Sequence, residues 1–240
     1  MNQKDKSKKK SNFRDAQKFE KIEEVSEIAK RYGIDLKKLE KEQEKLAKQL
    51  SLKDSIDFSV ADKFAAIDNS FFQNNIISAC IVVSPEMETL EQEYFSDKMK
   101  FPYISGFRAY RELPAMIEAF NKLEEKPDVV FIQGHGILHP RLGVASHFSI
   151  STGVPSIGIA NTLLVGEIKG EDIMLNGKKV GKVLISKQGS NPMYISPGNL
   201  ISIETAYKLA KKFINPPHKL PEPLHKAHKY SKEIREELFG

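Results

Sequence analysis

Only one cysteine, Cys80, occurs in the 240 residues, so no internal disulfide can form and a disulfide-stapled scaffold is excluded. No apolar run approaches the ~20 residues that a membrane-crossing helix needs. The first thirty residues also lack the apolar stretch of a secretory signal peptide, which leaves the cytoplasm as the default compartment and no membrane as partner. No internal repeat is visible. What is present is an apolar fraction of 40% beside a charged fraction of 29%. That balance suits a globular chain long enough for one large domain or two small ones.

The formal net charge of +5 is unevenly spread. Residues 1–10 carry five lysines against Asp5, a surplus of four, and Tyr207 to Gly240 carry eight Lys or Arg against four Glu, another four. The middle is therefore 5 − 4 − 4 = −3. Basic ends attract polyanions, and an acidic middle is what a metal-carboxylate site produces; lysine-rich termini also simply confer solubility.

Residues 1–12 show no apolar periodicity and are expected to be a disordered basic tail. From Ala16 to Tyr32, helical spacing of Phe19, Ile22, Val25, Ile28 and Ala29 predicts a helix stopped by Gly33. Asp35 caps a second helix with Leu36, Leu39, Leu46 and Leu50 along one side. Residues 13–50 thus form an N-terminal helical segment, packed on the body or reserved for a protein partner, and residues 51–240 the main domain. There, KFAAIDNSFF and IISACIVVS read as strands around a turn at Gln73-Asn74-Asn75, with a third strand from Met87 to Phe95. A helix is expected from Pro114 to Glu125, then DVVFIQ as a buried parallel strand, a helix over Gly143–Thr152 and the strand PSIGIA. Asn176-Gly177 marks another hairpin, and helices are expected from Ile203 to Ile214 and from Glu222 to Leu238. Hairpin strands followed by alternating helix and strand predict an α/β fold with a mixed sheet flanked by helices.

Three places can carry chemistry. Asp68 interrupts an apolar strand, where an isolated carboxylate is costly unless it is paired, metal-bound or at an exposed edge. Glu112 stands just before the expected helix at Pro114, where it also suits the dipole as a cap. His135, His139 and Arg141 crowd QGHGILHPR after the buried strand, at the kind of strand end where ligands bind, although histidines also serve as structural hydrogen bonders.

The stretches FPYISGFRAYRELPAMIEAF, PDVVFIQGHGILHPRLGVASHFSISTGVPSIGIA and LPEPLHKAHKYS resemble the endonuclease V family in order and spacing, from about Leu36 to Tyr230. The resemblance implies an RNase H-like fold and a divalent site for Mg²⁺ or Mn²⁺. The implied partner is DNA or RNA containing hypoxanthine, nicked at the second phosphodiester bond 3′ to the lesion by a monomer. It assigns catalysis to Asp68, Glu112 and His228, and metal binding to Asp68, Glu112 and Gln133. It assigns a strand-opening wedge to Pro102, Tyr103 and Ile104, beside Ser105 and Gly106. Gly134 and Gly136, with Gly106, are implied to let backbone approach a flipped base. His135, His139, Arg141 and Asn161 complete the implied contacts to nucleic acid; His139 and Arg141 either touch phosphate or brace the loop, and bracing is the role expected of His139.

The family pattern carries aspartate where this chain has Gln133, and lysine where it has Asn161. An amide oxygen is a possible ligand for a hard cation but is neutral. A net loss of about 3 kcal/mol weakens metal binding on the order of 100-fold. Two outcomes follow: endonuclease V-type nicking with weakened activity, or a catalytically impaired protein that binds inosine-containing or branched nucleic acid.

Overall fold

The β1–β2 hairpin organises the molecule. The structure is a computed structural model that describes residues 25–187 and 189–240. The expected tail over 1–12 and the start of the expected helix at Ala16 lie outside these residues; residues 25–31 are helical. Strand β1 (Phe64–Phe72) pairs antiparallel with β2 (Asn75–Val83) through a two-residue turn. Gln73 takes the left-handed conformation there, at φ 50°. On the other side of β1, β4 (Val129–Gln133) pairs parallel, and β5 (Ser156–Ala160) continues parallel to β4. With β3 (Thr89–Lys98), β6 (Glu167–Lys169), β7 (Asp172–Leu175), β8 (Lys178–Leu184) and β9 (Met193–Asn199), the nine-stranded order is β3-β2-β1-β4-β5-β9-β8-β7-β6. It is the mixed sheet expected of the α/β pattern.

Five further helices follow in chain order: α1 (Leu36–Ala47), α2 (Arg108–Asn121), α3 (Val144–Thr152), α4 (Ile203–Lys212) and α5 (Glu222–Phe239). Strand alternation sorts them into two layers. Phe64, Ala66, Val129 and Phe131 pack with residues of α4 and α5, whereas Ala65, Ile67, Val130 and Ile132 pack with residues of α2 and α3. Among the described residues no helix is long and apolar enough to cross a membrane.

Several boundaries differ from the sequence expectation for physical reasons. Helix α2 starts at Arg108, not Pro114, and ends at Asn121. Pro114 sits inside it at the cost of one backbone bond, which the burial of Ala109, Leu113 and Met116 offsets. Glu112 is therefore in mid-helix and is no cap; Phe107 holds the N-cap position. Strand β3 starts at Thr89 because Met87, at φ 71°, belongs to a turn closed by Ser84 N–H on the Glu88 carbonyl at 2.9 Å. Asp35 does cap α1, accepting from the Lys38 N–H at 3.0 Å. The fully buried side chain of α1 is nevertheless Gln43, while its leucines are half-buried.

Candidate active site

Asp68 and Gln133 come together where β4 ends. The parallel pairing runs as far as Ile67 opposite Ile132, so the next residue on each strand is Asp68 and Gln133, side by side on the α5 face. Asp68 is 5% exposed and lies between β2 and β4, which removes the explanation of an exposed sheet edge. His228 Nδ1 lies 2.6 Å from Asp68 Oδ2. One turn along α5, the Ser231 carbonyl accepts from Ser70 Oγ at 2.7 Å. Positions 68 and 70 share a strand face, and 228 and 231 share a helix face, so these two contacts fix the register of α5 on β1.

Glu112 arrives from the opposite layer. It is 4% exposed, and its oxygens accept from Arg108 Nε at 2.6 Å and from Asn69 Nδ2 at 2.9 Å. Asn69 follows Asp68 and points to the other face, so one dipeptide engages His228 on one side and Glu112 on the other. Burial works against the Arg108 guanidinium. The charge and hydrogen bond of Glu112, with Asp68 farther away, more than compensate and hold its pKa above the ordinary value.

A cavity of about 460 Å³ opens over this centre, bounded by Asp68, Arg108, Gln133, Asn161, Lys219 and His228. Asn161, just after β5, accepts from Lys219 Nζ at 3.2 Å. A cation therefore stands beside position 161 although the side chain there is neutral. A second cavity, of about 190 Å³, is bounded by Tyr103, Ser105, Gly106, Arg108, His135 and His139. Arg108 is the wall common to both.

The oxygens left for a divalent ion are few. Both oxygens of Glu112 are engaged and Asp68 Oδ2 faces His228. The buried Gln133 Oε1 has no partner among the described residues. Nor does any group of three His, Cys, Asp or Glu side chains among the described residues stand ready to hold a metal ion. Asp68 Oδ1 and one amide oxygen bring a single negative charge, and the Arg108 guanidinium that already occupies Glu112 repels a dication. As arranged, the donor set does not fit the implied metal.

The wedge residues divide by burial. Tyr103 is 67% exposed and Ser105 is exposed, Pro102 is half-buried, and Ile104 is buried against Ala29 and Phe107. Of the three glycines, Gly106 takes a left-handed φ of 83°, and a Cβ there would meet Arg141 Nη2. A Cβ on Gly136 would strike the Pro197 carbonyl and one on Gly134 would strike Val144, so packing within the protein accounts for both.

His135 Nε2 lies 2.8 Å from the Thr162 carbonyl. Burial pulls its pKa down, opposed by that hydrogen bond and aided by Arg108. His139 Nδ1 accepts from the Arg141 N–H at 3.1 Å. Burial, with His135 and Arg141 adding to it, brings its pKa to about 4, so it is neutral at pH 7 and braces the loop. Arg141 itself donates to Gln43 Oε1 at 2.7 Å and Glu40 Oε1 at 3.2 Å and lies over the Phe107 ring. It ties α1 to the loops around the smaller cavity.

Sequence reasoning missed Arg108, Asn69, Lys219 and Gln43. Arg108 had a signal, being four residues before Glu112 on a helix. Asn69 and Lys219 adjoin residues already singled out, whereas Gln43 is one polar residue in a Lys/Glu-rich helix and carries no mark.

The sequence model of endonuclease V matches residues 44–229. Endonuclease V of Thermosipho melanesiensis is 39% identical over 187 residues, covering 72% of this chain and 82% of that protein. The catalytic domain of human endonuclease V superposes with a TM-score of 0.76 at 29% identity, covering 85% of this chain and 97% of that one. The Ciona intestinalis enzyme, solved with DNA containing an inosine followed by a ribo-adenosine, shares the fold with a TM-score of 0.78 at 23% identity, covering 85% and 98%. The mixed sheet, its two helical layers and these matches lead to one conclusion: the chain belongs to the endonuclease V family of nucleases and has their RNase H-like fold.

Proposed function

We propose that this chain binds DNA or RNA strands carrying hypoxanthine and nicks them slowly at the second phosphodiester bond 3′ to the lesion. The cut leaves 3′-hydroxyl and 5′-phosphate ends. The observation that carries the reading is the meeting of Asp68, His228 and Arg108, which holds the buried Glu112, around one cavity that shares the Arg108 wall with the cavity beneath Tyr103. Family membership supports this substrate class, and the Ciona intestinalis protein was solved with inosine-containing DNA.

The chain's own groups have separable tasks. Tyr103, projecting from a loop anchored by Ile104, fills the gap left by an extruded base. With the Nδ1 proton of His228 donated to Asp68, the Nε2 lone pair takes a proton from an attacking water. The water oxygen bonds to phosphorus, the P–O3′ bond breaks, and the departing O3′ is protonated from solvent. Arg108 and Lys219, which line the same cavity, offset the negative charge that builds on the phosphate oxygens. Nicking is slow because Gln133 offers a neutral amide in place of the family's carboxylate.

That unpartnered amide, with the hold of Arg108 on Glu112, also favours a second reading: a hypoxanthine-binding protein that does not cut. End-labelled strands with one inosine, one deoxyinosine or adenine at the same place separate the two. A single slow nick at the stated bond, confined to the inosine strands, supports the enzyme. Inosine-selective binding with no nick leaves the binding protein, and equal binding to all strands removes both.

A further inference from the structure

Arg108 enters the centre from α2 and stands where both cavities meet. Its Nε is committed to Glu112 at 2.6 Å. Among the described residues no acceptor is hydrogen-bonded to its two terminal amino groups, and Nη1 lies 3.2 Å from the place a Cβ on Gly134 would occupy. The side chain keeps 36% of its surface open while Glu112 keeps 5%. The carboxylate is thus buried beneath a cation that still faces solvent and has two donors to give. A guanidinium in that posture suits a phosphate, which it can grip with parallel hydrogen bonds.

The charge balance favours the same role. Asp68 and Glu112 are set against Arg108 and Lys219, so the formal charges of the centre cancel before any ion enters. With Gln133 neutral, a dication has one free carboxylate oxygen and one amide oxygen to replace its water, and two resident cations to repel it.

We propose that Arg108 is the resident cation of this centre: it holds Glu112 where the family would hold a divalent ion, and its free amino groups take a strand phosphate, so hypoxanthine-bearing strands bind without metal. The proposal rests on the hypoxanthine reading given above for its choice of strand.

The test is an anisotropy titration of the full chain with single strands carrying one deoxyinosine or a matched adenine. It is run in EDTA and in Mn²⁺ at fixed salt, then in EDTA across a salt series. Wild-type affinity for the deoxyinosine strand should agree within about twofold with and without Mn²⁺. Arg108→Leu should weaken binding in EDTA roughly tenfold and lower the slope of log K against log salt by about one, the signature of one lost phosphate contact. Arg108→Lys should restore the slope.

Because Arg108→Leu leaves Glu112 buried without its partner, the double change Arg108→Leu/Glu112→Gln is measured beside it, with a melting curve to confirm folding, and should show the same loss. Wild-type binding that appears only with Mn²⁺ overturns the proposal. So does unchanged affinity and slope in a folded Arg108 variant. If the slope depends on Arg108 but the two strands bind alike, the hypoxanthine reading fails and the cation assignment stands.

Discussion

Tyr103 is 67% exposed and the next residue, Ile104, 1% exposed, so one side chain anchors the loop while the other is left open to solvent. Tyr103→Ala should weaken binding to inosine strands by about 1–3 kcal/mol, the worth of one stacked base, with the melting temperature unmoved. Ile104→Ala should do the reverse, costing about 2–5 kcal/mol of stability through a cavity among Ala29 and Phe107. Equal losses of affinity in the two variants at matched folding would remove the division of labour. A second residue-scale expectation concerns pH. Burial lowers the His139 pKa from 6.5 to about 4, and that of His135 in the same direction. The unfolded chain therefore binds more protons than the folded one between those values, and stability falls as pH drops from about 6.5 toward about 4. His139→Gln, which keeps an acceptor in place, should flatten that decline; melting curves at pH 7 and pH 5 decide.

At the scale of elements, α1 matters more than its position outside the sheet suggests. Gln43 donates to the Gly106 carbonyl at 3.1 Å and accepts from Arg141 Nε at 2.7 Å, so one amide joins the helix to the loop that presents Tyr103 and to the HPR segment. Gln43→Ala should cost about 1–3 kcal/mol by leaving those groups unpaired, lowering the thermal midpoint by about 2–4 °C per kcal/mol. An unmoved midpoint would show that water replaces the amide.

The central strands were legible because short apolar runs bounded by turn residues mark β1, β2, β4 and β5, and Asn176-Gly177 marks the β7–β8 turn through its positive φ angles. The start of α2 was hidden because Pro114 reads as a first helical residue, and only burial against the sheet carries the helix through it. Strand β9 was hidden for a related reason. Its Pro197-Gly198 reads as a turn, yet it pairs with β5 across a register irregularity. Asp68, Glu112 and His228 were named from the sequence, whereas Arg108 gains its meaning only once α2 is known to include it.

Over the whole chain, the positive charge lies at the two ends of the sequence, and the charge of the centre is settled by side chains. The C-terminal basic segment includes α5, which brings His228 to Asp68 across 160 positions, so the segment that carries the positive surplus also supplies a residue of the candidate site. Lys219, just before α5, stands beside Asn161. Lys219→Ala should lower the salt slope of strand binding by about one and slow nicking without loss of fold. By the proposal above, Gln133 and Arg108 together replace a carboxylate-and-metal centre. Neighbouring charges in one site are not additive, so changing either residue alone should do little to Mn²⁺ affinity. The most direct measurement is Mn²⁺ titration calorimetry on the double variant Gln133→Asp/Arg108→Leu, paired with single-turnover nicking of a deoxyinosine strand. The folded double variant should bind Mn²⁺ on the order of 100-fold more tightly than wild type or either single variant, and nick faster. Tight Mn²⁺ binding by the wild type, or a folded double variant that gains none, would contradict it.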